Sequence, residues 1–347
     1  MGDVTIMGAG VFGLALAYAC ARRGARVHLM DQRGPGAGSS GGIVGALAPH
    51  VPENWNAKKA FQFDALMRAQ DFWRSVATLS GQDTGYARLG RVQPVPDGKL
   101  DLAHAREAGA AALWQGAAQW RVLPSSSAPG LTVTAPSGWV VHDTLTARVH
   151  PRRACGALLA AFQALGGRFT LGAQLQADAP VVWATGHEGL ADLSRDLGRA
   201  VGSGVKGQAA LLAYHAPDAP QIFADGLHIV PHGDGTIAVG STSEREFDAP
   251  DTVDAQCDML VARARAVCPA LADAPVVERW AGVRPRASTR APLMGVWPGK
   301  PGQFVFNGGF KIGFAMAPVL AEVMADLVLD GVDRIPAEFR LLTGPKL

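Results

Sequence analysis

A chain of 347 residues with 48% hydrophobic side chains has room for two domains and a sizeable core, which excludes a disordered or fibrous protein. With 32 basic and 30 acidic residues the net charge is only +2, and no long basic run argues for nucleic-acid binding by bulk electrostatics. Four cysteines, Cys20, Cys155, Cys257 and Cys268, lie far apart without a C-x-x-C pair; they signal neither a metal site nor a disulfide framework and read as small buried side chains.

In chain order, Val4-Thr5-Ile6-Met7 reads as a short apolar strand, followed by Gly8, Gly10 and Gly13 at G-x-G-x-x-G spacing, with Val11 and Phe12 between the last two. In such a turn the first glycine permits the tight bend. The second lets backbone approach a pyrophosphate, and the third lets helix and strand pack closely. Leu14 to Arg23 then reads as a helix whose N-terminal amides face the phosphates. Gly24 ends it, and Arg26 to Met30 predicts a second strand finishing in Asp31, an acid suited to a ribose without a 2′-phosphate. Strand, turn, helix, strand and acid in that order point to a bound dinucleotide. Val4 to Ala21 is apolar enough to imitate a signal peptide or membrane span. Its spaced glycines and the immediate second strand instead predict a buried strand and helix, hence a cytoplasmic protein with no membrane span.

The Gly34 to Gly42 segment is too poor in apolar side chains for a regular element, and predicts an extended loop whose amides and serine hydroxyls face a ligand. Ile43 to Ala48 returns to apolar character. Apolar spacing predicts a long amphipathic helix over Ala57 to Leu79. A strand at Arg91 to Val95, an alanine-rich helix from Leu100 to Gln119 and a strand pair within Thr132 to His142 follow. Arg152 to Leu165 predicts a helix and Arg168 to Leu171 a strand. Pro180 to Gly186, a fully apolar run ending in Ala184-Thr185-Gly186, predicts a central parallel strand meeting the cofactor through close backbone contact. Ala209 to Tyr214, Leu227 to Pro231 and Thr236 to Gly240 read as a mainly antiparallel sheet. Val253 to Val267 is helical. Phe304 to Gly309 is a strand and glycine turn, and Ala315 to Leu329 is a last apolar helix.

With the first, middle and last glycine sites in view, the chain resembles the flavin-dependent D-amino-acid oxidase and glycine oxidase family over nearly its whole length. The resemblance rests on Gly8 to Gly13, on Ser39-Ser40-Gly41-Gly42-Ile43-Val44-Gly45-Ala46 and on Val182 to Gly186. Lys206-Gly207-Gln208, Ile229-Val230-Pro231 and Val239-Gly240-Ser241-Thr242 add to it, and Trp280-Ala281-Gly282-Val283-Arg284-Pro285 and Gly308-Gly309-Phe310-Lys311-Ile312-Gly313 are its most specific parts. It implies an α/β fold: a Rossmann-like FAD-binding domain (1–50, 140–205 and 276–347) interleaved with a mainly antiparallel β-sheet substrate domain (51–139 and 206–275). It also implies non-covalent FAD. The ADP half would lie on the fingerprint, with Asp31, Gln32, Ser39, Ser40 and the Ala184 to Gly186 turn. The isoalloxazine would lie near Gly42, Ile43 and Val44 and the Gly308 to Gly313 segment. Three departures stand out. The stretch between Leu171 and Val181 is shorter than the family's β-meander. His228 stands where glycine oxidases resemble one another in carrying tyrosine. The family's aspartate is missing from Arg286-Ala287-Ser288-Thr289-Arg290.

Amine oxidation by flavin asks the protein chiefly for orientation and electrostatics. Holding a substrate carboxylate calls for a cation, ideally a planar fork. Arg284 matches the family's carboxylate-binding arginine by motif; the other reading is an ion pair at a domain interface. Lys311 keeps a charge near the flavin's pyrimidine end or the substrate, or is a solvated surface lysine. His228 either contacts substrate or is a sheet histidine satisfied by backbone. Facing substrate in its charged form, it would favour dianionic substrates and make turnover fall as pH rises through the imidazole pKa. Arg286 and Arg290 read as salt-bridged structural residues, Trp183, Trp280 and Trp297 as core, and His50, His142 and His232 as minor candidates. The expected activity is FAD-dependent C–N oxidation of a small amino acid or secondary amine acid, with oxygen or another acceptor taking the electrons. The alternatives are an FAD module resembling the tRNA wobble-uridine carboxymethylaminomethyl-removing oxidoreductase, and a non-catalytic flavin-binding redox sensor.

Overall fold

The computed structural model describes residues 3–172 and 180–341. Two sheets organise it. The first has six strands in the order Leu293–Val296, Gln303–Asn307, Val181–Trp183, Asp3–Met7, Arg26–Asp31, Arg168–Leu171; all neighbours are parallel except the Leu293–Val296 edge. The apolar run at Pro180 therefore is a central parallel strand, flanked by the first and last strands of the sheet. The shortened segment after Leu171 falls largely at 173–179, outside the described residues.

The helix Val11–Arg22 is buried along its length apart from Arg22, which explains its uninterrupted Ala/Leu/Tyr/Cys composition. It lies over the first strand and packs against helices Pro151–Ala164 and Gly313–Asp330. A third helix, Ala57–Ser80, covers those two; Asn56 Oδ1 accepts from the Lys59 amide to start it, and Gly81 in the left-handed region ends it.

The second sheet has eight strands: Val276–Ala287, Gly202–Ala213, Thr236–Gly240, Leu227–Pro231, Gln221–Ala224, Arg91–Pro94, Trp139–Asp143, Trp120–Pro124. Only the Gln221–Ala224 and Arg91–Pro94 pair is parallel. Its two faces follow the strand alternation. Val92, Ala210, Leu212, Ile222, Ile229, Ile237 and Val239 form a core under helix Ala255–Val267. Their neighbours Arg91, Phe223, His228 and Ala209 face the other way, into a cavity.

The structure corrects several local expectations. The helix from Leu100 stops at Trp114, because Gln115 and Gly116 both turn into positive φ; the chain then forms the edge strand Trp120–Pro124. Only the second half of the expected Thr132 to His142 pair is a strand, Trp139–Asp143, and its partners are Arg91–Pro94 and Trp120–Pro124. Thr134 is held elsewhere, its amide bonded to Val267 O and its hydroxyl to Ala266 O, both at 2.8 Å. In the Ile43 to Ala48 run only Ala46–Leu47 pairs, against Ala147–Arg148. Helix Gly186–Asp196 and strands Gln221–Ala224 and Leu293–Val296 were not anticipated. The motif around Arg284 is part of a twelve-residue strand, Val276–Ala287.

The contact that fixes the first strand–helix crossing is backbone on backbone. A Cβ built on Gly13 would lie 1.8 Å from Gly8 O, and one on Gly8, at φ +105°, 2.4 Å from Ala184 O. Alanine at a helix-interior position normally gains up to about 1 kcal/mol over glycine. At Gly13 the sign should reverse: Gly13→Ala is expected to lose about 1–3 kcal/mol, checked by denaturant unfolding, because the obstructing atom is backbone and cannot swing aside.

Candidate active site

A continuous cavity of about 570 Å³ runs from Asp31 to Lys311 between the two sheets. At one end lie the glycine turn and the second strand. The amide of Val11 donates to Ser40 Oγ at 3.0 Å, whereas the amides of Phe12 and Gly13 find no acceptor among the described residues. These are the open donors of a helix N-terminus, suited to an anion. Asp31 Oδ2 accepts from Ala9 N at 2.7 Å, and Oδ1 from Arg33 N and Gly34 N at 2.8 and 2.9 Å. The carboxylate thus pins the glycine turn. Of the roughly four lone-pair directions it offers, one remains for a ribose hydroxyl.

Of the residues expected to hold the cofactor, Gly8, Gly10, Val11, Phe12, Asp31, Gln32, Ser39, Ser40, Gly42, Val44, Ala184, Thr185, Gly186, Gly309, Phe310, Lys311, Ile312 and Gly313 all line this cavity. Gly13, Ile43 and Gly308 do not. Gly13 serves the strand–helix contact, and Ile43 is core, with its carbonyl bonded to His232 Nε2 at 2.9 Å. Gly308, at φ +79°, turns the chain behind the wall. Asn307 joins the last glycine turn to the middle one: its Nδ2 donates to Gly186 O and its Oδ1 accepts from Gly308 N, both at 2.8 Å.

At the other end Arg284, Lys311 and His228 come together. Arg284 is 8% exposed, and the one hydrogen bond of its side chain among the described residues is from Nη1 to Thr242 O at 3.3 Å. Its nearest acid, Glu244, is committed to Lys206 Nζ at 3.7 Å, to Gln208 Nε2 at 3.1 Å and to the Thr242 hydroxyl. Among the described residues Arg284 makes no ion pair, and it is a buried cation without a carboxylate of its own there. Burial lowers its pKa to about 10, with Glu244 opposing, so it stays charged at neutral pH. The Nη1–Nη2 edge of the guanidinium abuts Gly207, where a Cβ would come within 2.0 Å of both nitrogens. Lys311 and Arg286 both approach the Phe310 ring, at 5.7 and 5.6 Å from its centroid. Burial, then repulsion from Arg284 and Arg286, lowers the Lys311 pKa. Neither Arg286 nor Arg290 has an ion pair among the described residues, against the expectation.

His228 faces the cavity, its ring tilted by 50° against that of Phe223 with centroids 4.7 Å apart, but it is not a cation. Burial, reinforced by Arg91, Lys311 and Arg284, drives its pKa down to about 3. The expected imidazole-controlled fall in turnover and the dianion preference built on it are withdrawn. Nor is the ring satisfied by backbone, since its buried Nδ1 lacks a partner. Sequence reasoning also missed Arg91, which lines the cavity from the second sheet, and Gln62, which is hydrogen-bonded at the cavity's edge to His50, a minor candidate of the sequence. Trp183 and Trp280, expected in the core, line the cavity, whereas Trp297 is core. Trp280 is wedged between Gly42 and Gly282. A signal for the orientation was present in the alternation of Arg91, Phe223 and His228 with apolar neighbours.

Two outcomes follow from this geometry. Because the native imidazole of His228 titrates near 3 and an unfolded histidine near 6.5, the unfolded state binds more protons between those values. Stability should therefore fall as pH drops below about 6.5, and His228→Phe should flatten the Tm-versus-pH curve of the protein between pH 6.5 and 4.5. Gly207→Ala displaces only the end of a flexible side chain, so stability should change by less than about 1 kcal/mol. Anion binding near Arg284, read by titration with small carboxylates, should weaken by about tenfold or more.

The family model described as FAD dependent oxidoreductase, DAO, matches residues 3–327. Among curated relatives, the glycine oxidase of Pseudomonas putida is 31% identical over 94% of this chain and 94% of its own length. The bifunctional protein ThiO/ThiG of a Nostoc species is 26% identical over 94% of this chain, which spans about half (53%) of that longer protein. The crystal structure of glycine oxidase from Geobacillus kaustophilus superposes with a TM-score of 0.83 at 22% identity, covering 99% of each chain, a likeness of fold. The family match runs from the first strand into the last long helix and takes in both sheets and the cavity between them: the chain belongs to the DAO family of FAD-dependent oxidoreductases.

Proposed function

We propose that this FAD-dependent oxidoreductase oxidises the C–N bond of a small amino acid or secondary amine acid. The observation that carries the reading is Arg284, a buried planar cation without an acid partner, opening into the cavity that the cofactor residues line. Such a guanidinium is costly to bury unless a ligand completes it. A substrate carboxylate does so with two parallel hydrogen bonds.

The residues fit the cofactor. The open amides of Phe12 and Gly13, and Asp31, would hold its ADP half, and Val44, Gly309 and Lys311 would surround its ring. Non-covalent FAD, when bound, would supply two-electron acceptor chemistry for oxidation of the C–N bond to an imine, which water would hydrolyse, with oxygen or another acceptor as the final electron sink. The chain's own part is orientation and exclusion of water. Arg284 anchors the carboxylate and so fixes which face of the α-carbon is presented. Neutral His228, held by the surrounding cations, accepts or donates one hydrogen bond without adding charge. Lys311 and Arg284 make a field in which negative charge developing on the cofactor side is stabilised.

The FAD-binding unit in this reading comprises 1–50, 140–205 and 276–347, and the substrate unit 51–139 and 206–275. Strands Trp139–Asp143 and Gly202–Ala213 cross from one unit to the other, and Val276–Ala287 of the first unit hydrogen-bonds within the second sheet. A small-molecule amine substrate, with no nucleic-acid partner, and a cytoplasmic location complete the proposal.

The test is an anaerobic screen of amino acids and secondary amine acids against the flavin-loaded protein, watching the absorbance bleach. At least one member should reduce the flavin; a flavin that stays oxidised against the whole panel defeats the proposal. With a substrate in hand, Arg284→Ala should retain FAD and lose roughly 2–5 kcal/mol of transition-state stabilisation, measured as kcat/KM. Arg284→Lys should recover only part, having no fork. Equal activity in Arg284→Ala removes the clamp.

A further inference from the structure

Arg91 has a geometry that its structural role leaves incomplete. It is 5% exposed, on the strand Arg91–Pro94, and its Nε donates to Asp143 Oδ2 at 2.9 Å. Asp143 is fully buried, and its other oxygen accepts the Thr146 amide at 2.8 Å. The carboxylate thus holds the guanidinium by its inner nitrogen alone. Neither Nη nitrogen has an acceptor among the described residues, and Arg91 lines the cavity that Arg284 and Lys311 line. A pair serving only to staple two strands would use the bidentate edge of the guanidinium. Here that edge is left over.

The ring contacts fix where it points. Its Cζ lies 5.5 Å from the centroid of Phe223 and 6.0 Å from that of Trp120. Phe223 pairs across the sheet with His228, whose imidazole lies within the electrostatic reach of Arg91, Lys311 and Arg284 alike, so the open edge of Arg91 shares the His228 end of the cavity with the other two cations. The cations there are Arg91, Arg284 and Lys311. Asp143 offsets the first, and Glu244 is committed to Lys206. One substrate carboxylate satisfies Arg284 and leaves the fork of Arg91 without a ligand.

We propose that Arg91 is a second carboxylate-binding residue of the substrate pocket, and that the enzyme's substrates are dicarboxylic amino acids or dicarboxylic secondary amines. One carboxylate lies on Arg284 and the other on the Nη edge of Arg91. The inference rests on the reading of this cavity as an amine-acid site, and it deepens that reading by assigning the far end of the substrate.

Binding without turnover tests it. The flavin-loaded protein is titrated with succinate, glutarate and their mono-amides, reading perturbation of the flavin spectrum. Each diacid should bind about tenfold or more tightly than its mono-amide, the scale of a charged hydrogen bond made or lost. In Arg91→Met combined with Asp143→Asn, which leaves no unpaired buried carboxylate, the ratio should fall to near one. Should that variant fail to hold FAD, Arg91→Lys keeps the charge beside Asp143 without the fork, and should lower the ratio at least threefold. Equal affinities for both acid–amide pairs in the wild type, no perturbation by any of the four, or a ratio untouched by the substitutions overturns the proposal. A diacid preference in a protein whose flavin no amine reduces would keep the second anion site and defeat amine oxidation. Amine turnover without that preference would do the reverse.

Discussion

The close approach of Gly8, Gly13 and Ala184 is the constraint on which the cavity depends. With a helix N-terminus, a strand end and the turn of a second strand within backbone contact, no side chain can intervene at any of the three. Their juxtaposition aims the open amides of Phe12 and Gly13 into the same space that Asp31 borders. Asp31 tightens the arrangement by accepting three backbone amides from two segments, a set of charge-assisted bonds that holds the turn in shape. The long apolar helices around Val11–Arg22 then seal the back of the sheet, so the front alone is left for a ligand.

At the far end the organising force is charge rather than packing. Lys311 and Arg286 sit over Phe310, Arg284 lines the same cavity, and Arg91 approaches from the neighbouring sheet. The acids that could neutralise them are occupied: Asp143 by one nitrogen of Arg91, Glu244 by Lys206, Gln208 and Thr242. Concentrating cations in a half-buried space is unfavourable for the empty protein and favourable for an anionic ligand. Burial first, and then the same field, keeps His228 uncharged, so the histidine contributes shape and a hydrogen-bonding nitrogen. Family membership and the FAD cofactor agree with a cavity that has open helix amides at one end and a cluster of cations at the other.

The alternation of the second sheet connects these parts. Along each strand one residue goes to the core under Ala255–Val267 and the next to the cavity, so a single layer of backbone separates a dry interior from a polar pocket. A register slip of one residue in Leu227–Pro231 would exchange His228 for Leu227 or Ile229 and empty the pocket of its imidazole.

The glycine turn, the second strand with its acid, the central strand before Ala184 and the motif arginine Arg284 were all legible in the residues alone. Each is a local pattern whose physical requirement is written in consecutive residues: glycine where backbone must touch backbone, unbroken apolar runs where both faces are covered. Where strands pair across long loops, local pattern had less to say. Trp120–Pro124 and Gln221–Ala224 are short and bounded by turns, and the partner of Trp139–Asp143 lies far away in the chain. Only the tertiary structure decided that Arg284 lacks an acid, that Glu244 is spent elsewhere and that His228 is neutral. Those properties depend on charges brought together from distant segments, and on how much water burial removes from them. Arg91 shows the limit most directly: in the sequence it is one arginine opening a strand, and only the placement of Asp143, 52 residues on, turns the free edge of its guanidinium toward the cavity.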